Sequence, residues 1–219
     1  KKISKKTNYD IFEKATESCL KSRDILIQIE KRIYELNKIK NTNKLLKNFL
    51  DDIFFLVWAQ LKNQYPLIKI DNELAKSNQI LSPADLSLDN CLKIKDKIYI
   101  LDFEYFGWDD PVKLASDFYW HPSMNLSPSL KKEWINSMIN IFKDDKFFKK
   151  RLIKNINYYG IRWILIILND FFPHILQKRI NAQNINFSDR FKYYKKQLTK
   201  ANKIVHIIKY NLINDNNFI

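Results

Sequence analysis

Acidic side chains are concentrated in one short stretch of an otherwise basic chain. Residues 81–120 contain 8 Asp/Glu and 4 Lys/Arg, residues 141–210 contain 4 and 16, and the 219-residue chain has a formal charge of +14. Carboxylates gathered together repel one another unless a cation or hydrogen bonds hold them. The charge pattern therefore directs the search for metal chemistry to residues 81–120.

Three side chains in this stretch have the types that phosphoryl transfer requires. The reaction needs a carboxylate that orients the attacking hydroxyl and accepts its proton, together with oxygen ligands that hold Mg²⁺ against the nucleotide phosphates. Asp85 and Asn90 are five positions apart, so a tight loop can turn both side chains into one cleft. Asp102 lies further along the chain, at the predicted end of a strand. These three residues can supply the parts that the reaction needs.

A β-hairpin and a set of helices are predicted to position these residues. Cys91–Ile94 and Ile98–Phe103, joined by a turn at residues 95–97, predict the hairpin, which brings Asp102 back beside the loop that holds Asp85. Apolar residues three or four positions apart predict amphipathic helices elsewhere. These helices cover residues 8–37, with a break near residues 21–24 left open, and residues 42–64, 112–119, 129–142, 147–172 and 187–212.

The order of elements predicts a predominantly α-helical α+β fold, with residues 1–219 forming a single domain. Pro66 is expected to stop the second helix. Residues 181–186 are expected to form a loop, and residues 214–217 a frayed tail. A small sheet at the edge of a helical body is the layout that this pattern favours.

The stretch from Leu81 to Asp117 resembles the catalytic and metal loops of the aminoglycoside phosphotransferase and choline kinase family. Members of that family have an H-G-D-x-x-x-x-N loop, an I-D-[FW]-E segment and a Gly-x-x-Asp-Pro segment. The corresponding segments here are Pro83-Ala84-Asp85 with Asn90, Leu101-Asp102-Phe103-Glu104, and Gly107-Trp108-Asp109-Asp110-Pro111. The segment 163–171 also resembles a helix of bacterial members. The resemblance implies a protein-kinase-like C-terminal lobe that uses ATP and Mg²⁺.

The resemblance also implies a role for each candidate residue. Asp85 would be the catalytic base, and Asn90 and Asp102 would bind the Mg²⁺–nucleotide complex as metal ligands. Glu104 would hold a second metal ion through water or be hydrogen-bonded near the site. Asp110 would be a structural acid that braces the catalytic loop, although a turn and helix N-cap before a proline is the alternative for residues 109 and 110. Asp117 would cap or anchor the following helix.

The sequence departs from the family pattern at several positions. Pro83 stands where the family has His, and Ser87 where related enzymes have His or Lys. The chain has only two glycines, Gly107 and Gly160, and neither lies in a Gly-rich loop. No strand lysine paired with a helix glutamate is recognisable before Asp85, and these are parts that cover and neutralise ATP phosphates. The N-terminal nucleotide lobe is therefore expected to be missing from this chain, which alone is expected to be inactive.

These observations favour an ATP-dependent phosphotransferase that transfers the γ-phosphate to a hydroxyl of an amino sugar, amino alcohol or sugar. A catalytically inactive, kinase-derived scaffold is the alternative that the missing lobe favours. A basic helical nucleic-acid binder is a third hypothesis, supported only by charge and ranked as unlikely because no recognition motif accompanies it. Trp108, Tyr105 and Phe106 are expected either to line a substrate pocket or to pack.

The remaining sequence features exclude several classes of protein. No apolar run approaches the ~20 residues that cross a bilayer, and the first residues lack the apolar segment of a secretory signal. The expectation is a cytoplasmic protein without a membrane partner. Cys19 and Cys91 are too few for a disulfide framework and are expected to be reduced. The three histidines, His121, His174 and His206, share no partner motif, so metal ligation by them is not expected.

Overall fold

The computed structural model describes residues 11–64, 72–183 and 189–214, which form an α-rich structure with two short antiparallel sheets. The helices in these ranges are α1 (Ser22–Ile39), α2 (Lys44–Phe49), α3 (Phe55–Gln64), α4 (Pro111–Trp120), α5 (Pro128–Ile141), α6 (Phe148–Leu168), α7 (Pro173–Gln183) and α8 (Arg190–Ile213). The strands are β1 (Ile80–Ser82), β2 (Cys91–Ile94), β3 (Lys97–Ile100) and β4 (Gly107–Asp109). This content confirms the predominantly helical α+β class.

Helix α6 lies at the centre of the helical body and packs against α1, α4 and α8. Its sequence is apolar on most sides, and its buried residues include Tyr158, Tyr159 and Leu165. A helix that is apolar around most of its circumference has to be buried. Gly160 allows the close approach, since a Cβ there would lie 2.9 Å from the ring of Trp120 on α4. Apolar residues of α1 to α6 and α8 form one buried cluster around this helix.

The predicted hairpin is confirmed. Strand β2 pairs antiparallel with β3, and Cys91 is opposite Ile100. The turn falls on Lys95 and Asp96, where Lys95 has a left-handed φ of 53°. The second strand ends at Ile100 rather than at Phe103, because the chain leaves the ladder there to enter the loop that contains Asp102.

The prediction of a helix from residue 8 is wrong for residues 12–21, while residues 8–10 lie outside the described ranges. Helix α1 begins at Ser22, and the preceding chain runs beside β4, where Lys14 forms a β-bridge with Trp108. Glu17 has a φ of 55°, which no right-handed helix contains. Tertiary pairing with β4 therefore overrides the helical spacing of the apolar residues.

The region between residues 42 and 64 is helical as predicted, with a π-helical segment, Leu50–Phe54, between α2 and α3. Pro66 lies outside the described residues. The helix predicted for residues 147–172 ends as α6 at Leu168 and is followed by a 3₁₀ turn.

Helix α7 was not predicted. It extends to Gln183, so the loop expected at residues 181–186 is wrong for its first three residues, and residues 184–186 lie outside the described ranges. Of the expected tail, only Asn214 is described, and it forms a turn after α8.

Candidate functional site

Two nested strand pairs bring the two candidate loops together. Strand β1 pairs with β4, so that Ser82 is opposite Gly107, and β2 pairs with β3. Residues 83–90 leave β1 and enter β2, while residues 101–106 leave β3 and enter β4. Each loop connects the β1–β4 pair with the β2–β3 pair, so the two loops run side by side between the two sheets. The β1–β4 pairing was missed in the sequence because three-residue strands are too short to show alternation.

Asp85 and Asn90 meet directly. The Asn90 side-chain Nδ2 donates hydrogen bonds to the backbone oxygen of Asp85 at 3.0 Å and to its Oδ2 at 3.2 Å. The Asp85 side chain is still 41% exposed, so a substrate can reach it. The loop therefore places the two side chains in one location, as their spacing predicts.

The backbone of Asn90 also positions the second loop. The N–H of Leu101 donates to the Asn90 carbonyl oxygen at 2.8 Å, which extends the hairpin ladder by one bond beyond Cys91 and Ile100. Asp102 follows immediately and has a left-handed φ of 61°. Asn90 and Asp102 thus lie at neighbouring ends of the same hairpin.

Tyr105 experiences the charge of three candidate carboxylates. Its pKa is raised by a side-chain hydrogen bond with Glu104, and the negative charges of Asp102 and Asp85 raise it further. The combined effect on Tyr105 indicates that Asp85, Asp102 and Glu104 create a local region of negative potential.

The backbone of both loops is held in an uncommon conformation. Ala84 has a φ of 62° and Asp102 a φ of 61°. Left-handed φ values are rare for residues other than glycine and cluster at active sites and ligand-binding loops. Ala84 occupies the position of the glycine in the H-G-D pattern, where such a backbone costs nothing.

Asn90 and Asp102 carry side-chain oxygens of the type that Mg²⁺ prefers. Since Asn90 Nδ2 donates to Asp85, the amide oxygen Oδ1 is left to act as a ligand. Mg²⁺ usually takes one or two protein carboxylates and completes its shell with phosphates and water. Among the described residues, no group of three or more His, Cys, Asp and Glu side chains is arranged to hold a metal ion.

Asp110 links the start of α4 to the start of α6. Its carboxylate accepts the backbone N–H of Val112 at 2.9 Å as the N-cap of α4, directly before Pro111. The same carboxylate accepts two hydrogen bonds from the guanidinium of Arg151, at 3.1 and 3.2 Å. Arg151 also pairs with Asp145 at 2.9 Å. The N-cap interpretation describes the local geometry of Asp110.

Asp117, near the C-terminal end of α4, connects this helix with the C-terminal half of α6. Its Oδ1 accepts hydrogen bonds from Arg162 and from the indole N–H of Trp163, and its Oδ2 lies 3.1 Å from the Lys113 ammonium. Burial alone would raise the pKa of Asp117, but the charges of Arg162 and Lys113 outweigh it and hold the pKa below its usual value. Asp117 is therefore a buried anion that joins two helices.

Asp109 and Cys19 belong to the same buried region. Asp109 accepts the backbone N–H of Cys19 at 2.8 Å and pairs with Lys113 at 3.2 Å. Burial raises the pKa of the Cys19 thiol to about 12, so this sulfur is not a nucleophile near neutral pH. Both cysteines are free, and Cys91 is half-buried in β2.

The aromatic residues beside the site differ in exposure. Trp108 is buried and covered by Lys76, whose ammonium lies 3.5 Å from the ring centroid, which favours the packing interpretation. Phe106 is half-buried and makes edge contacts with Phe103 and Phe12. Tyr105 is exposed and is the candidate best placed to meet a ligand.

His121 is the residue near the site that the sequence did not reveal. Its Nε2 lies 3.8 Å from Asp85 Oδ1, although 36 positions separate the two residues. His174 begins α7, and His206 is exposed on α8. No local motif connects His121 with Asp85, because the contact arises from the packing of the end of α4 beside the loop.

A small cavity lies at the N-terminus of α1 and not beside Asp85. Its lining includes Lys21, Ser22, Tyr159 and the ion pair of Asp110 and Arg151. Asp110 and Arg151 pair with each other in this lining, and the cavity does not include Asp85, Asn90 or Asp102.

Comparisons with known protein families, curated proteins and solved structures find no match for this chain. In the part of the chain that the structure describes, no helix is both long and apolar enough to cross a bilayer. The functional argument therefore depends on the geometry of the site itself.

Proposed function

We propose that this chain is the catalytic lobe of an ATP-dependent phosphotransferase with a protein-kinase-like fold, acting on a hydroxyl of a small amino sugar, amino alcohol or sugar. Two observations support the proposal: the contact of Asp85 with Asn90, and the backbone hydrogen bond from Leu101 to Asn90, which joins the two loops one residue before Asp102. A base and two Mg²⁺ ligands on adjacent loops are the parts that phosphoryl transfer needs from a protein.

The candidate residues divide the work between the two loops. The Asp85 carboxylate is exposed, so it can orient an acceptor hydroxyl and take its proton. Asn90 Oδ1 and Asp102 are the groups that would hold Mg²⁺, which neutralises charge on the nucleotide phosphates when it is bound. The local negative potential around Tyr105 favours a cationic acceptor such as an amine-bearing sugar.

Exposed apolar side chains on the hairpin support the expectation of a separate nucleotide lobe. Ile98 is 70% exposed and Phe103 is 51% exposed. Large apolar patches on a protein surface usually mark a site of interaction with another structural unit. A lobe that covers the phosphates would supply the lysine and the Gly-rich turn that the sequence of this chain lacks.

Binding of Mn²⁺ with ATP tests the metal site without requiring turnover. Mn²⁺ substitutes for Mg²⁺ and broadens NMR signals most strongly for the nearest nuclei, so we expect the strongest broadening at residues 83–90 and 101–106. Asp102→Ala should abolish it, because the charged ligand is lost. Asp96→Ala, in the hairpin turn, is the matched control and should leave the broadening unchanged.

The outcomes separate the candidate functions. Broadening that is unaffected by Asp102→Ala would contradict the metal assignment. Absence of any Mn²⁺–ATP effect at these loops at millimolar nucleotide would leave the inactive scaffold as the better description.

A further inference from the structure

His121 ends α4 with its imidazole directed at the loop that carries Asp85. The Nε2 atom lies 3.8 Å from Asp85 Oδ1, and the histidine side chain is only 14% exposed. The ring packs edge-on against Trp163 of α6, with centroids 4.6 Å apart. The indole limits the rotation of the imidazole and keeps Nε2 on the side of Asp85.

Ser123 determines which nitrogen of the neutral His121 ring carries the proton. The backbone N–H of Ser123 donates to Nδ1 at 3.3 Å, and its hydroxyl lies 2.8 Å from the same atom. A ring nitrogen that accepts a hydrogen bond from a backbone N–H carries no proton itself. The proton of the neutral ring is therefore on Nε2, the nitrogen that faces Asp85.

The two carboxylate oxygens of Asp85 have different neighbours. Oδ2 accepts a hydrogen bond from Asn90 at 3.2 Å, and Oδ1 faces the Nε2–H of His121. The distance of 3.8 Å exceeds a hydrogen bond, so the second contact is electrostatic. One hydrogen bond and one electrostatic contact, each to a different oxygen, favour a single orientation of the carboxylate about its Cβ–Cγ bond.

Burial and the surrounding charges together set the protonation state of His121 near neutral pH. Burial lowers its pKa, whereas the negative charges of Asp85, Asp89 and Asp117 raise it, and burial is the larger effect. Ser123 and Trp163, which also contact the His121 ring, are uncharged. A neutral imidazole can orient Asp85 without adding a positive charge beside it.

We propose that His121 is a positioning residue for Asp85 and that its Nε2–H holds the carboxylate in the orientation that meets the acceptor hydroxyl. The role in turnover rests on the proposed phosphotransferase function, in which Asp85 is the base. The contact itself does not depend on that function. The two parts can therefore be tested separately.

The contact is tested by NMR of the histidine ring nitrogens in the 219-residue chain. We expect the Nε2–H tautomer for His121 above its pKa. Asp85→Asn removes a negative charge that raises the pKa of His121, so the titration midpoint should fall. Asp96→Asn, which removes a charge in the hairpin turn, should not move it. An Nδ1–H tautomer, or a His121 titration midpoint that does not change in Asp85→Asn, overturns the proposed contact.

The role in turnover is tested with two amides at position 121, in a protein that joins this chain to the nucleotide lobe that the proposed function requires. In His121→Gln the amide nitrogen can occupy the place of Nε2, whereas in His121→Asn the shorter side chain reaches only the place of Nδ1. We expect His121→Asn to lower kcat by about 10–100-fold with little change in KM, since misplacing a catalytic group by about 1 Å can cost up to 10²-fold. His121→Gln should recover most of the loss.

The control is His206→Asn, the same substitution at an exposed histidine of α8, which should leave kcat unchanged. Equal kcat for the Asn and Gln variants, at equal melting temperature, overturns the positioning role. Normal turnover in Asp85→Asn instead overturns the phosphotransferase proposal while the NMR result still stands. If Asp85→Asn loses turnover and His121→Asn does not, the positioning role of His121 is overturned and the phosphotransferase proposal stands.

Discussion

At the scale of single residues, the candidate site is assembled by short contacts within and between loops. The side-chain amide of Asn90 holds Asp85, and its backbone oxygen holds the start of the loop that contains Asp102. One residue thus couples the candidate base with a candidate metal ligand. Because Asn90 makes both contacts, its distance in sequence from Asp85 is explained by the structure of the loops, whatever reaction the site performs.

Ala84 is a point of backbone strain beside Asp85. Its φ is 62°, and left-handed backbone costs a residue with a Cβ roughly 1–2 kcal/mol. We expect Ala84→Gly to increase the free energy of unfolding by about 0.5–1 kcal/mol, because relief of the strain exceeds the entropy that glycine loses on folding. Urea unfolding followed by circular dichroism measures the change.

Ala115→Gly is the control for this substitution. Ala115 is buried within α4, where glycine costs at least about 1 kcal/mol, so the same exchange should be destabilising there. A destabilising Ala84→Gly would mean that contacts of the Ala84 methyl group outweigh the strain.

At the scale of elements, β4 depends on the chain segment before α1. The Trp108 backbone N–H donates to Glu13 at 2.9 Å, and the Ala15 N–H donates back to Trp108 at 3.0 Å. Gly107 permits this approach, since a Cβ there would lie 2.5 Å from the Ala15 nitrogen. The β1–β4 pair that supports both candidate loops therefore has a third extended segment alongside it.

Gly107→Ala is expected to destabilise the protein by at least about 1–3 kcal/mol, the usual cost of overpacking, because main-chain atoms would have to separate. Amide hydrogen exchange should show loss of protection at Ala15 and Trp108. The two glycines of the chain allow a matched comparison by urea unfolding.

Gly160→Ala should cost less than Gly107→Ala. Its Cβ would meet side-chain atoms of Trp120 at 2.9 Å and Ile208 at 3.0 Å rather than main-chain atoms, and alanine gains about 1 kcal/mol of helix propensity over glycine. If Gly160→Ala were the more damaging variant, the packing of α6 against α4 and α8 would be less adaptable than the backbone pairing of β4.

At the scale of the whole molecule, apolar side chains are unevenly distributed between the helical body and the hairpin. Every residue from Leu92 to Tyr105 is exposed, and the apolar ones are Leu92, Ile94, Ile98, Tyr99, Ile100, Leu101, Phe103 and Tyr105. A two-stranded hairpin alone is marginally stable in water, so these side chains contribute little to the folded core.

Ile98→Lys is therefore expected to change the free energy of unfolding by no more than about 0.5 kcal/mol, as is usual for surface positions. It should lower the fluorescence of a bound apolar dye, because Ile98 is 70% exposed within the apolar hairpin surface. Ile27→Lys, at a 55% exposed position of α1, is the control and should have a smaller effect on dye binding. A large loss of stability in Ile98→Lys would show that the hairpin packs more closely than the exposure indicates.

The amino-acid sequence by itself determined the elements with strong local signals. The hairpin, α4, α5, α6 and α8 follow from residue periodicity and turn chemistry, and the Asp110-Pro111 dipeptide marks the start of α4. The proximity of Asp85 and Asn90 also follows from local spacing, since both lie on one short loop. Their chemical roles remain predictions.

Only the tertiary structure decided the contacts between distant segments. The β1–β4 pair, the extended run beside β4 and the placement of His121 beside Asp85 join positions that no periodicity relates. Helix periodicity reports which face of a segment is apolar, but it does not report which partner covers that face. Glu17 illustrates this limit of helix periodicity. The residues before it pair with β4, and its left-handed backbone interrupts the predicted helix. Such pairing is decided by the summed free energy of packing over the whole fold, which a local pattern does not contain.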